Sequence, residues 1–285
     1  RRNQKLIEET PSAKLTSKMR HKLCKLALKL ANHIGYTNAG TVEFLVSQDQ
    51  QVYFLEMNTR LQVEHGVTEM ITGVDLVELQ IRSALGERLP INQDDVAAKG
   101  HAIEARIYPE DPETFIPQVG TITDLHLPSG EFLRVDSALC RGYEVTLHYE
   151  PLLAKVMAWG ADREQALKGI LRALLEFRVE GVATNIPLLR EILLQKEFAC
   201  GSYHTGSLPQ WLQDHSKPSK NHAKNHGGKV KMSDKEHDKG DREKAAALGV
   251  AIAMALAANG TPDSPAGAPE PSPWRTAGRR DQFNS

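Results

Sequence analysis

Leu55-Glu56-Met57-Asn58-Thr59-Arg60-Leu61-Gln62-Val63-Glu64-His65 is the stretch on which the reading of this chain turns. Glu56, Asn58, Arg60, Gln62 and Glu64 recur at every second position. Successive side chains of an extended backbone point to opposite faces, so these residues share one face if the strand persists. Two carboxylates, two carboxamides and a guanidinium on one face form a site for a metal ion and small oxyanions. The alternative is an edge strand with a solvated polar face. The apolar lead-in Val52-Tyr53-Phe54-Leu55 speaks against it, because such a strand is expected to be covered. A charged continuation of a covered strand is costly unless the charges meet partners.

A further carboxylate precedes this stretch. Thr41-Val-Glu-Phe-Leu-Val46 has the β-branched and aromatic content of a strand, with Glu43 in its middle. The polar connection from Ser47 to Gln51 predicts a hairpin that brings Glu43 near Glu56 and Asn58. Two carboxylates and a carboxamide oxygen make a hard, all-oxygen set. That suits Mg²⁺, which takes few protein ligands and completes its shell with phosphate and water. No Cys/His cluster suggests zinc.

Outward from this site, Thr16 or Ser17 caps a helix with apolar positions Met19, Leu23, Leu26, Leu30 and Ile34, ending at Gly35. Cys24 reads as a small core residue of that helix. Val74 to Leu85 reads as a second helix, and His101 to Tyr108 as a strand. Strands are expected over 120–127, 131–135, 144–148 and 152–159, separated by Pro128-Ser-Gly130 and Arg141-Gly142. Asp162 and Gln165 form a capping box for a helix to about Phe177. Asn185 caps a last helix, with Pro187 in its first turn.

Three segments, Gly40-Thr-Val-Glu-Phe-Leu45, Glu56 to His65 and Val67-Thr-Glu-Met-Ile-Thr-Gly-Val-Asp-Leu76, resemble the biotin carboxylase family of ATP-grasp enzymes, in particular the biotin carboxylase part of acyl-CoA carboxylases. The similarity runs from Arg1 to about Trp211. It implies an α+β architecture: the C-terminal part of an ATP-grasp fold (residues 1–99), then the biotin carboxylase C-terminal domain (100–213), an antiparallel sheet with flanking helices. Implied cofactors and substrates are ATP, Mg²⁺ or Mn²⁺, bicarbonate, and biotin on a carrier. Glu43, Glu56 and Asn58 would hold the divalent metals that bridge ATP phosphates. Lys5 and Arg60 would bind bicarbonate or carboxyphosphate, and Gln62 with the Val63 backbone would seat bicarbonate. Glu64 would be the general base, and Arg106 would stabilise the biotin enolate. On pattern alone, Arg106 reads equally well as a surface cation beside Glu104.

The chain departs from the family pattern in places. Asn3, a position implied to contact nucleotide, stands where His is usual. Gly66 stands where Pro is usual, and Glu150 where Asp is usual. The Ser47–Gln51 connection is a residue longer than in some relatives. A complete member carries an N-terminal open α/β domain and a mobile lid with a Gly-rich loop, both ahead of the position of Arg1. The expectation is therefore a fragment holding half of an active site, with the adenine-binding residues and lid lysine elsewhere. Such a chain alone is expected to show no ATP-dependent carboxylation of free biotin.

Composition fits a globular enzyme piece: 40% hydrophobic, 25% charged, formal net charge −1 over 285 residues. That balance gives no electrostatic ground for nucleic acid or membrane partners. Cys24, Cys140 and Cys200 show no metal or redox spacing, which suits a reducing compartment, cytoplasmic or the mitochondrial matrix. Residues 214–243, rich in Lys, His, Gly and Asp, read as a disordered linker. His222, His226 and His237 lie within it without metal-site spacing. Residues 244–285 read as an Ala-rich helix (244–258), too short to span a membrane, followed by a Pro-rich tail. No Met-Lys-Met biotin-acceptor motif occurs. Biotin must then arrive on a carrier domain or protein, with a carboxyltransferase subunit and a homodimer as further implied partners. The rival readings are a non-catalytic assembly or dimerisation module, and a carbamoyl-phosphate or peptide-type ligase. Arg60-x-Gln62-x-Glu64 favours bicarbonate chemistry over the latter.

Overall fold

The computed structural model describes residues 4–215 and 247–251. In chain order its strands are β1 (Ile7–Thr10), β2 (Thr41–Val46), β3 (Val52–Asn58), β4 (His101–Ile107), β5 (Gly120–Thr121), β6 (Asp124–His126), β7 (Leu133–Ser137), β8 (Glu144–Val145), β9 (Ala154–Gly160), β10 (Arg178–Glu180) and β11 (Ala247–Ala251). The helices are α1 (Ser17–His33), α2 (His65–Thr72), α3 (Leu76–Ala84), α4 (Arg163–Glu176), α5 (Ile186–Leu194), α6 (Lys196–Ala199) and α7 (Ser207–His215).

One sheet has the order β11-β2-β3, antiparallel throughout. Helix α1 begins at Thr16, whose Oγ1 accepts the Met19 N–H at 3.2 Å. It lays Leu23 and Ala27 against Val42, Phe44 and Val46, with Met19 and Leu30 at the margin. Leu26 and Ile34, expected on that face, are exposed, because Leu23, Ala27 and Ala31 define the buried line one step around the helix. Cys24 is half-buried on its flank rather than in the core. The expectation that Val52–Leu55 is covered also fails among the described residues. Strand β3 is an edge, and Tyr53, Phe54 and Leu55 are exposed.

The second sheet has the order β1-β4-β9-β7 and is again antiparallel. Its faces differ, as period-two alternation dictates. Ile103, Ala105 and Ile107 of β4, with Ala154, Val156 and Ala158 of β9, pack under Ala166, Ile170, Ala173 and Leu174 of α4. Burying each larger aliphatic side chain there contributes roughly 1.5–3 kcal/mol. The opposite face carries Ala102, Glu104 and Arg106 of β4. Its apolar patch, Ala102 and Met157, meets Val67 and Ile71 of α2. The sheet is thus sandwiched, α4 over an apolar face and α2 over a charged one.

Helix α4 has the expected cap: Asp162 Oδ1 accepts the Gln165 N–H at 2.9 Å, and Gln165 Oε1 accepts the Ala161 N–H at 3.3 Å. Asn185 precedes α5 but makes no side-chain cap. Its fully buried amide instead bridges to β4, accepting the Tyr108 N–H at 2.9 Å and donating to the Arg106 carbonyl at 3.0 Å. The strands expected over 120–127 and 144–148 are shorter, as β5, β6 and β8. Most of the expected tail lies outside the described residues, including His222, His226 and His237. Asp214 and His215 end α7 instead of opening a linker. Within the Ala-rich run, Ala247–Ala251 is a strand on β2 rather than part of a helix. The outer edge of β2 offers unpaired backbone groups, and Gly249 and Val250 weaken a helix at that point.

Candidate active site

The two sheets meet where β1, β2, β3 and the segment 59–64 come together. Strand β3 stops at Asn58, so Glu56 through Glu64 do not lie on one continuous strand face as the alternation predicted. The chain bends at Thr59 and turns at Val63, with the His65 N–H donating to the Gln62 carbonyl at 3.3 Å before α2 begins. That turn, rather than the pleat, carries Gln62 and Glu64 back into the site.

Glu43 and Glu56 stand directly opposite in the β2–β3 register, with a bulge between Glu43 and Phe44. Glu43 Oε1 is approached by Lys5 Nζ at 3.3 Å, Asn58 Nδ2 at 3.4 Å and Gln62 Nε2 at 3.4 Å. Asn58 Nδ2 also donates to Glu56 at 2.8 Å. The donor chemistry fits a hard divalent cation, two carboxylates and a carboxamide, once the Asn58 amide turns its oxygen inward. Arg60 donates to Gln62 Oε1 at 3.2 Å and is joined to the set through it.

Glu64 is the most enclosed member, 2% exposed. Its Oε1 accepts from Lys5 Nζ at 2.6 Å and its Oε2 from Arg106 Nη2 at 2.9 Å. Burial pushes its carboxyl up, but the hydrogen bond and charge of Lys5, its own backbone and Arg106 outweigh this and hold it below the ordinary range. Burial pulls Lys5 down, and Glu64 followed by Glu43 raises it above its ordinary value. Arg106 is buried rather than a surface cation, and it also pairs with Glu8. The Val63 carbonyl accepts from Lys155 at 3.0 Å, which fixes the turn that carries Glu64.

Lys5, Glu43, Glu56, Asn58, Arg60, Gln62, Glu64 and Arg106 therefore form one hydrogen-bonded set, and Asn3 lies outside the described residues. Sequence reasoning missed Glu8, Glu104 and Lys155, which line the same charged face. It also missed two supports. Glu69 of α2 accepts from Arg134 at 2.5 Å, and Arg134 pairs in two-point fashion with Asp136 at 2.7 and 2.9 Å. On the apolar side, Glu9 accepts from His101 (2.6 Å), Arg163 (2.7 Å) and Tyr203 (2.6 Å). The alternation of Ala102, Glu104 and Arg106 in a strand was the available signal for Glu104. The Glu9 partners are too far apart in sequence to leave one.

Residues 1–92 match the family described as the carbamoyl-phosphate synthase L chain ATP-binding domain, and residues 104–210 match the biotin carboxylase C-terminal domain. Biotin carboxylase 2 of Bacillus subtilis is 50% identical over 212 residues, 74% of this chain and 48% of that protein. The mitochondrial methylcrotonoyl-CoA carboxylase subunit alpha of Mus musculus is 43% identical over 216 residues, 75% of this chain and 30% of that protein. A solved biotin carboxylase domain dimer of Hydrogenobacter thermophilus 2-oxoglutarate carboxylase, in complex with MgADP, ADP and bicarbonate, aligns with TM-score 0.72 at 46% identity. It covers 74% of this chain and 47% of that one. The chain spans about half the length, or less, of these relatives. No helix among the described residues is long and apolar enough to cross a membrane.

Proposed function

The chain belongs to the biotin carboxylase family, by its 50% identity to a biotin carboxylase over 212 residues and its match to the biotin carboxylase C-terminal domain over residues 104–210, and from that premise we propose that it supplies the metal- and bicarbonate-holding part of a site that couples ATP and bicarbonate to N-carboxylation of biotin. The observation that carries this reading is the convergence of Lys5 and Arg106 on the two oxygens of Glu64, beside Glu43.

The chemistry follows from the residues. Bicarbonate is a poor nucleophile, and a carboxylate close to its hydroxyl activates it by accepting the proton in the transition state. Glu64 is held ionised for that task. When the bicarbonate anion takes Lys5 and the planar guanidinium of Arg60 as partners, Glu64 gives up part of the contact that makes it a weak base, and its proton affinity rises. Gln62 orients the anion between them. A divalent cation held by Glu43, Glu56 and Asn58 would supply charge neutralisation for the phosphates of ATP. Arg106, delivered by β4 from the other sheet, then stands where negative charge develops on biotin as its ring N–H is lost. Biotin is proposed to arrive on a carrier domain or protein, with a carboxyltransferase taking the product and the subunit pairing as a homodimer.

Replacing Glu64 by Gln in the full-length enzyme tests the assignment. Bicarbonate-dependent ATP turnover is expected to fall by about 10²–10⁴-fold while nucleotide affinity changes little. Unchanged turnover would remove Glu64 from the role of base.

A further inference from the structure

Glu104 is the most deeply buried charged residue on the charged face, with 0% exposure. Neither of its carboxylate oxygens has a hydrogen-bond partner, and the nearest cationic atom, Arg106 Nε, stands 3.8 Å away. Across the β1–β4 ladder it is paired in register with Glu8, itself buried and ion-paired with Arg106 Nη2. On its other side, across β4–β9, the register partner is Met157, which offers no charge. The charged and titratable groups around the pair are Lys5 just before β1, Glu64 ahead of α2, Arg106 and Tyr108 on and after β4, and Lys155 on β9.

Like charges directly opposite on neighbouring strands repel, and a buried carboxylate without a donor is costly. One proton between two such groups removes both penalties. It cancels a charge and creates the donor that the unpartnered oxygens lack. Burial, and then the charge of Glu8, pushes the Glu104 carboxyl above its ordinary value. Burial likewise raises Glu8 against the opposing pull of Arg106.

We propose that Glu8 and Glu104 share one proton in the folded protein, so that the pair presents a single negative charge to Arg106 and, opposite Glu64, sets where the guanidinium stands. Both are positioning residues for Arg106. The role of Arg106 in catalysis rests on the reading above, whereas the shared proton does not. A second ionisation would add negative charge on the sheet side of the guanidinium and draw it away from Glu64.

The test uses the 285-residue chain labelled with ¹³C at glutamate carboxyl carbons and followed by NMR against pH, with Glu8→Gln and Glu104→Gln identifying the signals. The expected result is a proton released from the pair only above about pH 7, well outside the usual glutamate range. Thermal unfolding gives a second readout. A carboxyl whose folded pKa is raised favours the fold at low pH and loses that contribution as pH rises toward the folded value. The parent chain should therefore lose several degrees of Tm from about pH 6 to about pH 9. Glu104→Gln, whose amide can donate to Glu8 as the shared proton does, should match the parent at about pH 4, lose that slope, and so exceed the parent in Tm at about pH 9. Glu104→Leu should lose the slope as well, because Glu8 then keeps Arg106 as its partner and has no second carboxyl with which to share a proton. The proposal is overturned if all glutamate carboxyls finish titrating below about pH 6, or if Glu104→Gln keeps the parent slope. Should that variant fail to fold, the titration of the parent chain decides. None of these measurements reads catalysis, so a failed turnover test on Glu64 would leave them standing.

Discussion

Lys5 Nζ stands 2.6 Å from Glu64 Oε1 across 59 positions of sequence, the short contact that ties the start of β1 to the entrance of α2. Each group holds the other in its charged form. The Glu64 carboxyl, depressed below its usual 4.5, favours the fold above that value and loses this contribution as pH falls through the folded pKa. Lys5, raised above 10.5, favours the fold below that value and loses its share only as pH rises through its folded pKa. Lys5→Met leaves the buried Glu64 with Arg106 alone. It is expected to cost about 1–3 kcal/mol at neutral pH and to move the acid-unfolding midpoint upward by about one pH unit. Urea unfolding from about pH 4 to 8 measures both. An unmoved acid limb would mean that Lys5 does not set the Glu64 charge.

Glu43 and Glu56, opposed across the β2–β3 ladder, are expected to share one Mn²⁺ or Mg²⁺ ion together with a nucleotide's phosphates. In the full-length enzyme, Glu43→Gln and Glu56→Gln should each weaken Mn²⁺-ADP binding by roughly tenfold, because a charged ligand is lost while shape is kept. Electron paramagnetic resonance of free Mn²⁺ reads the binding directly. Parent-like affinity in both variants would place the metal elsewhere.

Glu9 is the hub of a different network, on the apolar side of the β1-β4-β9-β7 sheet. Its side chain is 2% exposed and is met by His101, Arg163 and Tyr203. Burial pushes its carboxyl up, but these three donors together hold it below the ordinary range. Arg163 continues to the carbonyls of Phe198 and Ala199, both at 2.7 Å, so one carboxylate ties β1 and β4 to α4 and the turn after α6. Glu9→Ala leaves the half-buried Arg163 guanidinium, with His101 and Tyr203, without the carboxylate that joins them and is expected to cost about 2–4 kcal/mol. Because Lys5 and Glu8 lie on the same short strand and its lead-in, amide exchange of residues 5–10 should quicken with the loss of stability. A change under about 1 kcal/mol would show that the network is dispensable.

The hairpin and its carboxylates were legible in the sequence because strand pairing is local: a β-rich run, a polar connection and a second run fix the register within a few residues. The α1 and α4 caps were legible for the same reason, each written in four consecutive positions. The path of Arg60 to Glu64 was not, since alternation continues through Leu61 and Val63 and gives no hint of the bend at Thr59. Alternation put these residues on one face with Glu56 and Asn58, but it is the turn before α2, not a continued strand, that brings them together. Asn185 shows a further limit. Its position before α5 is readable, but its use as a bridge to Arg106 and Tyr108 depends on a contact 77 to 79 residues distant. The strand at Ala247–Ala251 was misjudged because alanine content favours helix, while an open sheet edge is a tertiary fact.

Gly66 stands where the resemblance leads one to expect Pro, and its surroundings explain the smaller residue. A Cβ built on Gly66 would come within 2.3 Å of Met157 Sδ and 3.2 Å of its terminal methyl. Met157 is fully buried on the charged face of β9, between the register partners Glu104 and Arg134, so its thioether has little room to retreat. The first turn of α2 therefore rests directly on this side chain. Gly66→Ala is expected to cost about 1–3 kcal/mol through overpacking. Met157→Val should be destabilising alone, because it leaves a gap beneath α2 beside Val67 and Ile71. The double variant places the new methyl where the sulfur had been, so its cost should fall short of the sum by at least about 0.5–1 kcal/mol in a double-mutant cycle. Chemical denaturation of the four chains measures the coupling. Strict additivity would show that α2 shifts as a body to admit the methyl, and that the Gly66–Met157 contact does not set the helix's height above the sheet.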